Sequence, residues 1–252
     1  MNRFFILIIL FLSACVKNEK LVNMAFEQRS YEDKVCEESD CATVILNYPY
    51  FTDENTTAST LNEYVEQQLV MMIRYEDAVS QQTVKTASQN FFDTFLEFTQ
   101  NTNFNQSWEI DINARVTFQN DKILTISFDA YSSRGGAHPN TIRQYLNIDK
   151  YKAKLLKNSE LIQNEGEMLQ SAEKAFREYH EVEEGFSLED DGRFFLKNDK
   201  EFSLPLAIGL EQDELVLYYN SYEIAPYAMG PTVLRFSKND IKNLLNKNVL
   251  DQ

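Results

Sequence analysis

The 252-residue chain has two histidines, one tryptophan, seven glycines and five prolines. Each scarcity excludes something. His138 and His180 are too few for a histidine-built metal centre, and no His-Glu-Xaa-Xaa-His helix occurs. With so little glycine there is no phosphate-cradling loop, no dinucleotide fingerprint and no Gly-Xaa-Ser-Xaa-Gly elbow. A serine triad would have to use His138 without that elbow. Long apolar runs are also missing: the longest, residues 4–12, is nine residues. A spanning helix needs roughly 20. Glu189-Asp190-Asp191-Gly192 is not a calcium loop, because Ser187 and Asn198 would stand where the first and last ligands must be Asp and Glu.

Net charge is the next constraint. The chain carries 24 basic and 39 acidic residues, giving −15. Such a chain repels phosphate backbones, which argues against nucleic acid as a partner. Cationic proteins would be attracted to it, at rates that fall with salt. Abundant Asp and Glu leave a two-carboxylate glycan hydrolase open, since their separation is not written in the sequence.

What is present begins with an export signal. Asn2-Arg3 precedes the nine-residue apolar run, and small Ser13 and Ala14 follow it. That length suits a signal h-region rather than a span. Leu12-Ser13-Ala14-Cys15 resembles the bacterial lipobox, which implies removal of residues 1–14, lipid on the Cys15 sulfur and a membrane-anchored envelope lipoprotein. Two or more acyl chains anchor stably where one does not. Val16 gives no sign of inner-membrane retention, so the outer membrane is favoured. Residues 15–24 read as a tether. The other cysteines, Cys36 and Cys41, are spaced to close a small disulfide loop in an oxidising compartment. Two thiols with no histidine nearby make a poor metal site.

Beyond the tether, periodicity predicts α+β architecture: antiparallel sheets with packed helices, in two subdomains. Extended segments flank the disulfide. Leu61, Tyr64, Val65, Leu69, Met72 and Ile73 share one helical face, as do Val84, Ala87, Phe91, Phe95 and Phe98. Trp108 to Phe118 alternates strictly, turns at Asn120-Asp121, and resumes at Leu124, Ile126, Phe128 and Ala130. This predicts a long hairpin with one buried face, and residues 142–148 extend the sheet. Met168, Leu169, Ala172, Ala175, Phe176 and Tyr179 mark a third helix, with His180 exposed near its end. Residues 181–191 read as a solvated acidic loop, 215–219 and 232–236 as strands, and 239–246 as a closing helix. A boundary at residue 135 separates subdomains 25–134 and 135–252.

Half of the twelve glycines and prolines fall in two stretches, residues 131–140 and 222–231, each after a predicted strand. Gly permits positive φ and Pro fixes φ, so both stretches are constrained loops of the kind that carry binding groups. The candidate binding residues are Arg134, Gly135, Gly136, His138 and Pro139 in the first. In the second they are Tyr222, Glu223, Pro226 and Tyr227. The alternative is that both loops are sheet corners whose histidine and tyrosines bond each other.

Gly135-Gly136-Ala137-His138-Pro139 and Tyr222-Glu223-Ile224-Ala225-Pro226-Tyr227-Ala228, followed by a short final helix, resemble the extracytoplasmic domain of the anti-sigma-V factor family. Residues 125–248 carry the resemblance best. It implies a binding module. Some members are lysozyme receptors, and a related domain is appended to certain peptidoglycan N-deacetylases. Neither a cytoplasmic anti-sigma region nor a deacetylase domain is present, so only fold and binding role transfer. The expectation is a non-catalytic, lipid-anchored envelope module without cofactor or metal. Its ligand would be peptidoglycan or another wall glycan, or a cationic wall-active protein such as lysozyme. A structural lipoprotein with a protein partner is the alternative.

Overall fold

The computed structural model of the protein describes residues 23–74, 83–102 and 106–250. The expected leader and Cys15, the expected site of lipid attachment, lie outside them. Among the described residues, no helix is long and apolar enough to cross a membrane. The tether is shorter than expected: Met24 is already buried, and its N–H donates to Gln119 Oε1 at 2.9 Å.

The first sheet has six strands in chain order: β1 (Phe26–Glu37), β2 (Asp40–Phe51), β3 (Trp108–Gln119), β4 (Ile123–Ser133), β5 (Asn140–Asp149) and β6 (Lys154–Leu155). The α+β class is as the sequence indicates. One pairing departs from the antiparallel expectation, because β2 and β3 run parallel. A parallel pair needs a crossover. It is supplied by the stretch holding α1 (Thr56–Ile73) and α2 (Val84–Asn101). Asn55 caps α1 by accepting from Ala58 N at 2.8 Å. The buried stripes of both helices meet Val44, Leu46, Trp108, Ile110, Ile112, Ile126 and Phe128 in the first core. Trp108 is ringed there by Phe91, Phe95 and Phe98, with centroids 5.3–5.8 Å away.

Cys36 and Cys41 are joined at the tip of the β1–β2 hairpin. The loop is short, so the bond removes little unfolded-chain entropy. Replacing both by serine should cost about 1–2 kcal/mol in urea unfolding. A loss above about 4 kcal/mol would mean that the bridge does more than close this hairpin.

The second sheet is β7 (Ala207–Glu211), β8 (Glu214–Tyr219) and β9 (Thr232–Ser237), with β8 central. Short α3 (Asn158–Leu161), α4 (Glu165–Tyr179), short α5 (Leu188–Asp191) and α6 (Lys247–Leu250) complete the chain. Met168, Ala172 and Phe176 of α4 enter a second core with Leu210, Leu215, Leu217 and Tyr219.

Several expectations need correction. The boundary at residue 135 falls between two paired strands, since β5 pairs with β4 along its full length. The hairpin does not have one buried face: residues 123–128 of β4 are buried on both. Its second face is covered by β7. Asn147 Nδ2 donates to Ile208 O at 2.8 Å and Thr117 Oγ1 to Leu210 O at 2.7 Å. Strict alternation also fails once. A register shift between Val116 and Phe118 turns Phe118 into the second core while Val116 stays with the first. Residues 239–246 form turns instead of a helix. Leu244 O accepts from Gln163 N and Asn164 N, so tertiary bonds replace helical ones. The acidic stretch is not wholly solvated, because Leu188 is buried. Nor is His180 exposed. It is half-buried, its Nε2 lies 2.8 Å from Thr232 Oγ1, and its ring meets Phe176 at 4.4 Å. Burial, then the Arg193 charge, hold its pKa below the ordinary histidine value.

Candidate functional site

The loop after β4 and the loop after β8 meet. Asn220, just past β8, acts as a strand partner for β5. Its Oδ1 accepts from Arg143 N at 2.7 Å and its Nδ2 donates to Arg143 O at 3.0 Å. Tyr227 OH then donates to Pro139 O at 2.9 Å. The His138 ring stacks on Tyr227 with centroids 4.0 Å apart and planes 18° apart. Tyr222 completes the cluster, 5.6 Å from Tyr227 and 6.4 Å from His138. His138 Nδ1 lies 3.1 Å from Pro139 O, an acceptor only, so the proton sits on Nδ1. Nε2 is then free to accept from Tyr222 OH at 3.4 Å. Tyr222 is 55% exposed and holds φ +69°, a left-handed value uncommon for a tyrosine.

Beside this cluster is a groove of about 490 Å³ between the C-terminal end of α1 and strands β4 and β5. Gln68, Met71, Met72 and Arg74 form one wall, Ser132 and Arg134 the floor, and His138, Asn140, Ile142 and Gln144 the other wall. Arg134 supports the groove by capping α1. Its Nη2 donates to Ile73 O at 3.0 Å and Met72 O at 3.4 Å, and its Nε to Ser132 Oγ at 2.9 Å. A cation there meets the negative end of the helix.

The remaining loop candidates serve the backbone. Gly135 has φ +77°, and a Cβ on it would come within 2.9 Å of Trp108 Nε1, so glycine lets the loop lie on the tryptophan. Gly136 is exposed with room around it. Glu223 is a staple: its carboxylate accepts from Leu206 N at 2.7 Å and Asn220 N at 2.8 Å. Pro226 opens the 3-10 turn Tyr227–Met229. Cys36 and Cys41 sit in their own hairpin, away from both loops in the sheet order. The α1 wall escaped sequence reasoning. Its one signal was Met71, an apolar residue off the buried stripe and 56% exposed.

A larger hollow, about 1060 Å³, lies along β2 and α1. Its polar groups are largely committed to the fold. The Asn62 amide exchanges bonds with Phe51 N and O at 2.8 and 2.9 Å, Asn55 caps α1, and Arg29 lies on the Tyr50 ring.

Residues 35–141 match the family described as Deacetylase PdaC, and residues 147–239 match the Protein of unknown function (DUF3298). The peptidoglycan-N-acetylmuramic acid deacetylase PdaC of Bacillus subtilis (strain 168) is 20% identical over 82% of this chain. The match spans 40% of that protein's length. Among solved structures, a DUF3298 family protein from Pseudomonas aeruginosa PAO1 superposes with TM-score 0.67 at 20% identity. One from Bacteroides fragilis gives TM-score 0.69 at 19%. Each comparison covers 90% of this chain and 96% of the other. At these identities the likeness is one of fold. The two matched regions adjoin within β5, so a stretch similar to the PdaC family is followed by one similar to DUF3298.

Proposed function

We propose that this chain is a non-catalytic binding module of the bacterial cell envelope, carried on lipid at Cys15, and that it contacts wall glycan at the groove beside His138. The observation that carries this reading is the convergence of the loops after β4 and β8. They cluster His138, which lines the groove, with Tyr227 stacked on it and Tyr222 beside it. Ring faces suit the apolar faces of sugars, and side-chain amides suit acetamido and hydroxyl groups. The Bacillus relative is a peptidoglycan deacetylase by name, which supports the same ligand class.

Replacing His138 and Tyr222 together by alanine is expected to weaken binding to purified peptidoglycan about tenfold or more, the loss of a central contact pair. The melting temperature should hold, because both side chains are exposed. Co-sedimentation with sacculi measures the first and calorimetry the second. If the native chain leaves sacculi unbound, the glycan reading fails. A second reading rests on the −15 charge, which favours a cationic wall-active protein such as lysozyme. A complex with lysozyme that resists the double substitution, with no sacculus binding, would favour it.

A further inference from the structure

We infer that the outer edge of β1 is a self-association surface: a second copy of the chain adds its own β1 antiparallel, in the register centred on Tyr31, and the two sheets become one. This goes beyond the binding role proposed above and does not depend on it. β1 ends the six-stranded sheet, and among the described residues no strand pairs with its outer edge. It is twelve residues long and pairs with β2 throughout without a register shift. Ala25 O accepts from Thr52 N at 3.0 Å, so odd-numbered residues turn their backbone groups toward β2. The even-numbered ones, from Phe26 to Cys36, turn theirs outward. Among the described residues, one of these N–H groups has a substitute acceptor: Lys34 N donates to Asp33 Oδ1 at 2.9 Å. The strand holds no proline, glycine or bulge, the devices that commonly stop an edge from pairing. Charge is its remaining protection, so a strand that adds there must match its charges.

β1 matches itself in one register. Residues directly opposite in an antiparallel pair share a face, so a two-fold axis brings together positions of equal parity. Centring the axis on Tyr31 sets Arg29 of each copy opposite Asp33 of the other. Glu27 then meets Val35, Gln28 meets Lys34 and Ser30 meets Glu32, so no like charges face each other. Centring on Arg29, Glu32, Asp33 or Lys34 sets that charge against its own copy, and centring on Ser30 sets Glu27 opposite Asp33. Like charges directly opposite destabilise a pair of strands. Arg29 and Asp33 are both exposed. In the pair, Lys34 N joins the new ladder and the Asp33 carboxylate turns to Arg29 of the other copy.

Sedimentation equilibrium of the full-length protein in detergent tests this. A monomer–dimer equilibrium is expected. Arg29→Asp should weaken it about tenfold or more, because it sets like charges opposite at two symmetric places. Adding Asp33→Arg should restore most of the loss. A monomer at every concentration overturns the inference. So does a dimer indifferent to Arg29→Asp, or one that the double exchange does not restore. Should a charge variant misfold, oxidative cross-linking in native membranes decides. Tyr31→Cys lies opposite its own copy with Cα atoms about 4.5 Å apart, within disulfide reach, whereas Ser30→Cys is offset from its own copy by two residues. Cross-linking of the first and not the second is expected, and its absence from Tyr31→Cys overturns the inference.

Discussion

Replacing Gly209 by alanine is expected to destabilise the protein by about 3 kcal/mol, the upper end for overpacking a core. Gly209 is the middle residue of β7, opposite Val216. A Cβ built there would penetrate the Tyr145 ring on β5. That ring cannot simply swing aside. Tyr145 OH donates to Glu211 Oε1 at 2.6 Å, and Glu211 is in turn paired with Arg235 at 2.9 Å. Moving the ring would strip a half-buried carboxylate of its donor, and moving β7 would open the contact between the sheets. The strand pattern therefore contains glycine because another side chain crosses there. Urea unfolding should show the loss, with a fall in melting temperature of roughly 6–12 °C for a chain of this size. Combining Gly209→Ala with Tyr145→Ala should recover part of it, a coupling of opposite sign to the single losses. A loss under about 1 kcal/mol for Gly209→Ala would show that the sheets do not meet in this way.

The second large effect has the opposite sign. Lys150, at the turn after β5, is fully buried, and its Nζ has no hydrogen-bond partner among the described residues. Burial lowers its pKa from the ordinary 10.5, and the Asp121 charge offsets this only in part. A lysine with a lowered folded pKa holds fewer protons than the unfolded chain between that value and 10.5. Stability then rises with pH through that window, and the penalty is full below it. Methionine keeps the aliphatic stem and deletes the ammonium. Lys150→Met is expected to stabilise the protein by about 1–3 kcal/mol at neutral pH, the cost of an unsatisfied buried group. The gain should narrow as pH approaches 10.5. A destabilised variant, or a gain independent of pH, would show that the amine is solvated or paired in solution.

Much of the element list was legible because one face of each element is apolar. The stripes on α1, α2 and α4 and the alternation in β3 and β4 are burial patterns that survive in one dimension. The errors share a cause. Thr125, Ser127 and Asn147 are polar and read as solvent-facing, yet they are buried under β7. Polar residues bonded across a sheet contact look like surface residues until the second layer is known. β7 itself was missed because it is short and interrupted by Gly209. His180 was misplaced for a related reason: it caps α4 against β9, a partner 52 positions away.

Of the candidate site, residue chemistry pointed to the two glycine- and proline-rich loops but could not divide their labour. Gly135, Glu223 and Pro226 looked like binding residues and prove to shape the backbone, whereas Met71 and Arg74 drew no attention and form a wall.

By itself the amino-acid order determined the α+β class, the disulfide partners and the two constrained loops, all set by local steric and burial preferences. Tertiary structure alone decided that those loops meet, with Tyr222 and Tyr227 against His138 at the edge of the groove. The physical reason is that the docking of β7 across β4 and β5 brings together positions more than eighty residues apart, and no local preference encodes such a contact.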